Sequence, residues 1–148
     1  VNILTSHAYF KNKILVFGGK QLRPNLHVQD YCNVLLKLIS ADKKLVQNEI
    51  FNVGYQNMSI LNIAKKVKKI VEKKLNKKIP LEIVKSNDNR SYHINSDKIK
   101  NKIKFRPKYS IDYAVNELCN EFKKNKLKNV FNKNIYYNVK TVMKLNAK

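Results

Sequence analysis

Seven apolar residues, Ile60, Ile63, Ala64, Val67, Ile70, Val71 and Leu75, recur at a helical period behind Ser59, while lysines fill the opposite face. Ser59 is placed to cap this helix, and its apolar stripe must be covered by other elements. Short apolar runs at Lys13–Phe17, Glu49–Gly54 and Pro80–Val84, bounded by glycine or proline, read as strands. Strands alternating with helices predict an α/β fold. Three short strands do not make a well-covered parallel sheet by themselves, which implies a partner element elsewhere. The chain opens at Val1 and runs directly into an apolar-faced stretch, so it is expected to be the downstream part of a longer protein. Alone, it is expected to expose apolar surface and self-associate.

The remaining elements are read the same way. Val1–Phe10 has apolar positions that line one helix face, and Leu26–Val28 is expected to be a short extended piece. Asp30 suits a helix N-terminus, where its carboxylate meets unpaired amides, and Tyr31–Ala41 is apolar almost all round, hence expected to be buried. Asn95 or Ser96 caps a short helix ending near Ile103, and Ser110 caps one with Ile111, Ala114, Val115, Leu118 and Phe122 on one face. Residues 1–125 form one lobe in this reading. Residues 126–148 form a lysine- and asparagine-rich tail, expected to be partly ordered.

The net charge is +21, from 31 basic and 10 acidic residues. Such a balance raises nucleic acid or another polyanion as partner, and a free-standing basic module is the alternative reading of the chain. The excess is almost all lysine, spread along the chain beside abundant asparagine and isoleucine, a trio that follows from an AT-rich coding bias. A nucleic-acid surface usually clusters its cations with aromatic residues or glycine between them, so nucleic acid is the weaker expectation. Cys32 and Cys119 lie far apart in apolar stretches and read as small buried thiols. With His7, His27 and His93 they make no metal pattern, so no metal is expected. No segment has the apolar length of a membrane span, and the protein is expected in the cytoplasm.

Of three arginines, two sit in the segments with the most distinctive local grammar. One runs Phe17-Gly18-Gly19-Lys20-Gln21-Leu22-Arg23-Pro24-Asn25-Leu26-His27-Val28-Gln29-Asp30, the other Asp88-Asn89-Arg90-Ser91-Tyr92. A guanidinium is a flat fork that can grip two phosphate or carboxylate oxygens at once, so Arg23 and Arg90 suggest an anion clamp converging on one pocket. Either could instead pair with a surface carboxylate, the usual fate of an arginine.

These segments resemble the extended short-chain dehydrogenases/reductases that act on nucleotide sugars. Gly18-Gly19, Gln21, Arg23 and His27-Val28-Gln29-Asp30 resemble that family's G-x-G-x-Q-x-R-x-x-x-H-V-x-D passage, Phe51–Gly54 its N-x-G strand, and Asp88–Tyr92 with Lys98-Ile99 and Phe105–Pro107 its D-x-R-x-Y … K-I … L-G-F-x-P passage. The resemblance covers residues 1 to about 125. It implies the C-terminal, substrate-binding part of an NAD(P)-dependent nucleotide-sugar epimerase or dehydratase, an isomerase-type enzyme of carbohydrate biosynthesis. In it Arg23 and Arg90 would hold the diphosphate, with Gly18, Gly19 and Gln21 beside the nucleotide. NAD or NADP and the catalytic residues would belong to an upstream Rossmann half, on the same or a separate chain, with a homodimer possible. No cofactor is expected on this piece. It carries no G-x-x-G-x-x-G loop and no catalytic residue is assigned, since Tyr9 and Lys13, though four apart, lie too near Arg23 for the family's Tyr-Lys pair. Lys104 stands where the family often has glycine, so the preceding helix is expected to end without a left-handed residue.

Overall fold

The computed structural model describes residues 1–88, 90–127 and 129–146. Strand β1 (Ile14–Phe17) pairs in parallel with β4 (Leu81–Val84), Ile14 opposite Leu81 and Phe17 opposite Val84. Ile14 and Val16 are fully buried while Phe17 is exposed, the alternation of a strand covered on one face. The cover consists of α1 (Asn2–Lys11), α4 (Ile60–Leu75) and α6 (Ile111–Lys123). From α4 come Ile63, Ala64, Val67 and Val71, from α6 Ile111, Val115 and Cys119, and from α1 Ala8, all in one core with Ile79. The expected caps form: Ser59 Oγ accepts from the Asn62 amide at 3.2 Å and Ser110 Oγ from that of Tyr113 at 3.2 Å. Ile79 is fixed from α4, where Glu72 Oε1 accepts its amide at 2.7 Å and Lys68 Nζ donates to its carbonyl.

A second core joins α2 (Val28–Ile39) to α5 (Asp97–Lys102) through Val34, Ile99, Ile103 and Phe105, with Phe51 and Val53 packed against it. Between the cores, β2 (Leu22–Asn25) pairs antiparallel with β3 (Gln56–Ser59), Arg23 opposite Met58. Pro24 is tolerated because β2 has one strand neighbour only. The remaining elements are α3 (Lys43–Val46), a 3-10 turn at Asn134–Tyr136 and α7 (Asn138–Asn146). The tail folds back on α1 through the Phe131 ring, 5.3 Å from His7 and 6.2 Å from Phe10 between centroids.

Six local expectations are corrected. The strand expected at Glu49–Gly54 is irregular, and the strand lies one step later at β3. The Gly54 amide donates to Ser96 Oγ at 2.8 Å and its carbonyl accepts from the same hydroxyl at 3.1 Å, so a side chain takes the place of a neighbouring strand. Leu26–Val28 is not extended throughout: His27 is the N-cap of α2, its Nδ1 accepting from the Gln29 amide at 3.1 Å, and Val28 is the first helical residue. Asp30 does not cap its own helix. It is 1% exposed, and its carboxylate accepts from the amides of Lys108 at 3.0 Å and Tyr109 at 2.9 Å, across the fold. Helix α2 is not buried all round, since Leu36 is 66% and Ile39 81% exposed, with Val28, Tyr31 and Leu35 also exposed. Cys32 on this helix is exposed, while Cys119 is buried, as expected, and desolvation pushes its thiol pKa up.

The sixth correction concerns Lys104. It adopts φ 55°, so a lysine takes the left-handed position after α5 that glycine would fill. Its carbonyl accepts from Lys37 Nζ at 3.0 Å, which holds the turn against α2. A non-glycine residue there costs about 1–2 kcal/mol, and glycine returns roughly 0.4–1 of it as unfolded-state entropy. Lys104→Gly is therefore expected to raise stability by about 0.5–1 kcal/mol, read from the urea midpoint at unchanged slope.

Candidate anion clamp

Strand β1 stops at Gly18 and Gly19, whose φ values of 74° and 106° lie in the left-handed half of backbone space. A Cβ on Gly18 would stand 2.5 Å from Gln21 Nε2, so this turn and the glutamine are fitted to each other. Gln21 Oε1 accepts from the Gly19 amide at 2.6 Å, and its Nε2 donates to the carbonyls of Phe17 at 3.2 Å and Asp88 at 2.9 Å. Both ends of its side-chain amide are engaged within the fold, so it positions its neighbours. The carbonyls of Gly19 and Gln21 in turn accept from Leu61 and Ile60 at 3.0 and 3.1 Å, fixing the start of α4 to the turn.

The loop after β4 is laced to β2. The Leu22 amide donates to Ser91 Oγ at 2.9 Å, and the Tyr92 amide to the Leu22 carbonyl at 3.1 Å. This brings Arg23 and Arg90 together. Arg23 Nη1 donates to the Leu22 carbonyl at 2.9 Å and the Arg90 carbonyl at 2.5 Å, with its guanidinium carbon 5.3 Å from the Tyr92 ring centre. Arg90 meets Asp88 side-on, Nε to Oδ1 at 2.7 Å and Nη2 to Oδ2 at 2.9 Å. Arg23 Nη2 reaches the same Oδ2 at 3.5 Å.

The five residues singled out in the sequence, Gly18, Gly19, Gln21, Arg23 and Arg90, thus lie in one connected patch. Two points differ from expectation. Both guanidinium groups converge on a carboxylate of the chain itself, and neither lines either of two clefts formed by the described residues. One cleft of about 680 Å³ is walled by Pro24, His27, Tyr31, Tyr55 and Tyr109 among others, and another of about 410 Å³ lies around Ser96 and Arg106. Within the larger cleft His27 Nε2 stands 3.0 Å from Glu117 Oε2 while Nδ1 accepts from Gln29, so both ring nitrogens are engaged. Asp88, Ser91 and Tyr92 were parts of a motif without roles in the sequence. The signal was a carboxylate two residues before an arginine, the spacing at which it can hold that arginine side-on. Asn89, between them, lies outside the described residues.

The Arg90 fork, first, and the Arg90 amide hold the Asp88 pKa down at about 2, and the arginine's own pKa is raised by the same pairing. A carboxylate whose pKa falls on folding adds stability above its unfolded value of 3.8, which is lost as pH drops through about 2. The difference in melting temperature between the parent chain and Asp88→Asn, small because Arg90 is largely exposed, is expected at pH 6 and should close between pH 4 and pH 2.

Tyr9 and Lys13 are accounted for elsewhere: the tyrosine ring packs on Phe122 at 5.2 Å, and Lys13 Nζ pairs with Glu82 at 2.8 Å. Among the described residues no group of three His, Cys, Asp or Glu is placed to hold a metal, and no helix is long and apolar enough to cross a membrane.

Residues 2–54, carrying Gly18, Gly19, Gln21 and Arg23, match the model of the NAD dependent epimerase/dehydratase family. Solved structures extend the likeness over most of the chain. The dTDP-glucose 4,6-dehydratase of Bacillus anthracis, in complex with NAD, is 22% identical with a TM-score of 0.65, over 84% of this chain and 39% of that one. The chain has the fold of the C-terminal part of an extended short-chain dehydrogenase/reductase. UDP-glucose 4-epimerase of Thermotoga maritima, with UDP-glucose, matches equally, at 22% identity and TM-score 0.64 over 84% and 39%. L-threonine dehydrogenase of Phytophthora infestans shares this dehydrogenase/reductase fold at 11% identity and TM-score 0.68, over 83% and 40%. The chain therefore spans about two-fifths of the length of these proteins, and likeness at such identity is one of fold. No curated protein matches it.

Proposed function

We propose that this chain is the substrate-binding part of an NAD(P)-dependent nucleotide-sugar epimerase or dehydratase, and that Arg23 and Arg90 hold the diphosphate of the sugar nucleotide. The observation that carries this is the meeting of two guanidinium groups, brought from 67 positions apart, on a single oxyanion, that of Asp88. Two guanidinium groups drawn to one carboxylate, Arg90 side-on and Arg23 through a single contact at 3.5 Å, are near enough to reach the adjacent phosphoryl groups of one diphosphate, which present more oxygens and more charge. The family match over residues 2–54 supports the class of enzyme, and the named dehydratase and epimerase support a nucleoside diphosphate sugar as ligand.

In this reading the chain contributes orientation. Holding the diphosphate fixes the sugar relative to the reacting groups, which lowers the entropy of reaching the transition state. The residues present do not fit a dinucleotide cofactor: Gly18-Gly19 leads into a strand, and the amides that cradle a pyrophosphate stand at a glycine-rich helix start. NAD(P) is assigned to the upstream Rossmann half of the whole enzyme.

Titration of the chain with UDP-glucose, dTDP-glucose, uridine and single-stranded DNA at increasing salt tests the proposal. Saturable binding of the sugar nucleotides, absent for uridine, is the expected result. A response that is the same for every polyanion and collapses with salt would show a phosphate-backbone binder instead and overturn it.

A further inference from the structure

We propose that Asp88 is the positioning residue of the clamp, holding Arg23 and Arg90 in one orientation so that together they prefer a diphosphate to a single phosphate. This rests on the reading of the two arginines as a diphosphate site and goes one step deeper into it.

Asp88 is itself held from three directions. Gln21 Nε2 donates to its carbonyl at 2.9 Å, its amide donates to Ser86 Oγ at 3.1 Å, and its Oδ1 accepts from the Arg90 amide at 3.2 Å. A carboxylate anchored in this way can orient what it touches. It takes Arg90 by the Nε and Nη2 side, leaving the outer Nη1–Nη2 edge of a side chain that is 73% exposed for another oxyanion. Arg23, 27% exposed, is held at Nη1 by two backbone carbonyls and drawn at Nη2 to the same carboxylate oxygen. Without Asp88 an exposed arginine samples many rotamers, and binding must order it.

Simple electrostatics gives the opposite sign. Deleting a carboxylate beside two cations makes the site more positive, which should strengthen every anion alike. The two effects separate because positioning matters only for a ligand that engages both forks. An exposed charge is screened by solvent and salt, whereas Arg90, which unlike Arg23 has no backbone carbonyl of the described residues holding its guanidinium, must be ordered again at a cost of about a factor of ten in affinity, so the loss of alignment dominates for the two-site ligand.

The test is calorimetric titration of the 148-residue chain with inorganic pyrophosphate and with orthophosphate, for the parent, Asp88→Asn and the Arg23→Ala, Arg90→Ala double variant. Asp88→Asn keeps the shape but puts an amide where Arg90 needs an acceptor. It is expected to bind pyrophosphate about tenfold more weakly, with orthophosphate affinity unchanged or raised. Equal or tighter pyrophosphate binding by Asp88→Asn, with binding lost in the double variant, would overturn the role of Asp88 and leave the clamp intact. Pyrophosphate binding that the double variant retains would overturn the clamp and this inference with it. Should Asp88→Asn fail to fold, Arg90→Lys, which keeps the charge without a flat fork for Asp88 to align, serves instead: about tenfold weaker pyrophosphate binding is expected, and parental affinity overturns the proposal.

Discussion

Arg23→Ala combined with Arg90→Ala is expected to weaken UDP-glucose binding by at least about 100-fold relative to the parent chain. A hydrogen bond to a charged group contributes roughly 1.5–3 kcal/mol, and with each arginine making one such grip the pair removes about 3 kcal/mol at the lower end, since Arg90 is largely exposed. The single variants should not add to the double. Arg23 Nη1 donates to the Arg90 carbonyl and both side chains touch Asp88, so removing one disturbs the other. Each single change is expected to cost more than half of the total. Titration of all four proteins in one buffer checks this, and a double variant binding within a factor of two or three of the parent would show that the diphosphate is held elsewhere.

Asp30→Ala is expected to destabilise the chain by about 3 kcal/mol, a large share of the stability of a domain this size. The carboxylate is buried and accepts from two backbone amides, those of Lys108 and Tyr109, just before Ser110 caps α6. Alanine leaves both amides without an acceptor where water has poor access, and frees the segment that joins the two cores. Asp30→Asn keeps one acceptor oxygen and should cost about half as much. Urea unfolding of the three proteins measures the series, and an Asp30→Ala midpoint within experimental error of the parent would show that the segment is held by its other contacts.

Much of the fold was legible because local rules and tertiary demands agreed. The helix at Ile60–Leu75 announced itself by period and cap and β1 by its compact apolar run, and both bury the expected residues, while β4 forms where its alternation placed it but leaves Ile83 60% exposed. Where the reading failed, a distant partner had replaced a local one. Ser96 took over the backbone of Gly54 from an expected strand, and His27 took the cap expected of Asp30, which turned to a loop 78 residues away. Lys104 entered left-handed space against its propensity, with Lys37 on its carbonyl. Local propensity spans about 1 kcal/mol per residue, and one buried charged hydrogen bond outweighs it.

For the candidate site, residue chemistry alone determined that Arg23 and Arg90 are forked cations and that Gly18 and Gly19 can turn the chain beside them. Only the three-dimensional arrangement decided that the arginines meet, that Gln21 serves the backbone, and that Asp88 stands between them. The division has a physical origin: donor geometry and backbone freedom belong to each residue, while the distance between positions 23 and 90 depends on the pairing of β1 with β4 and of β2 with the loop that follows β4.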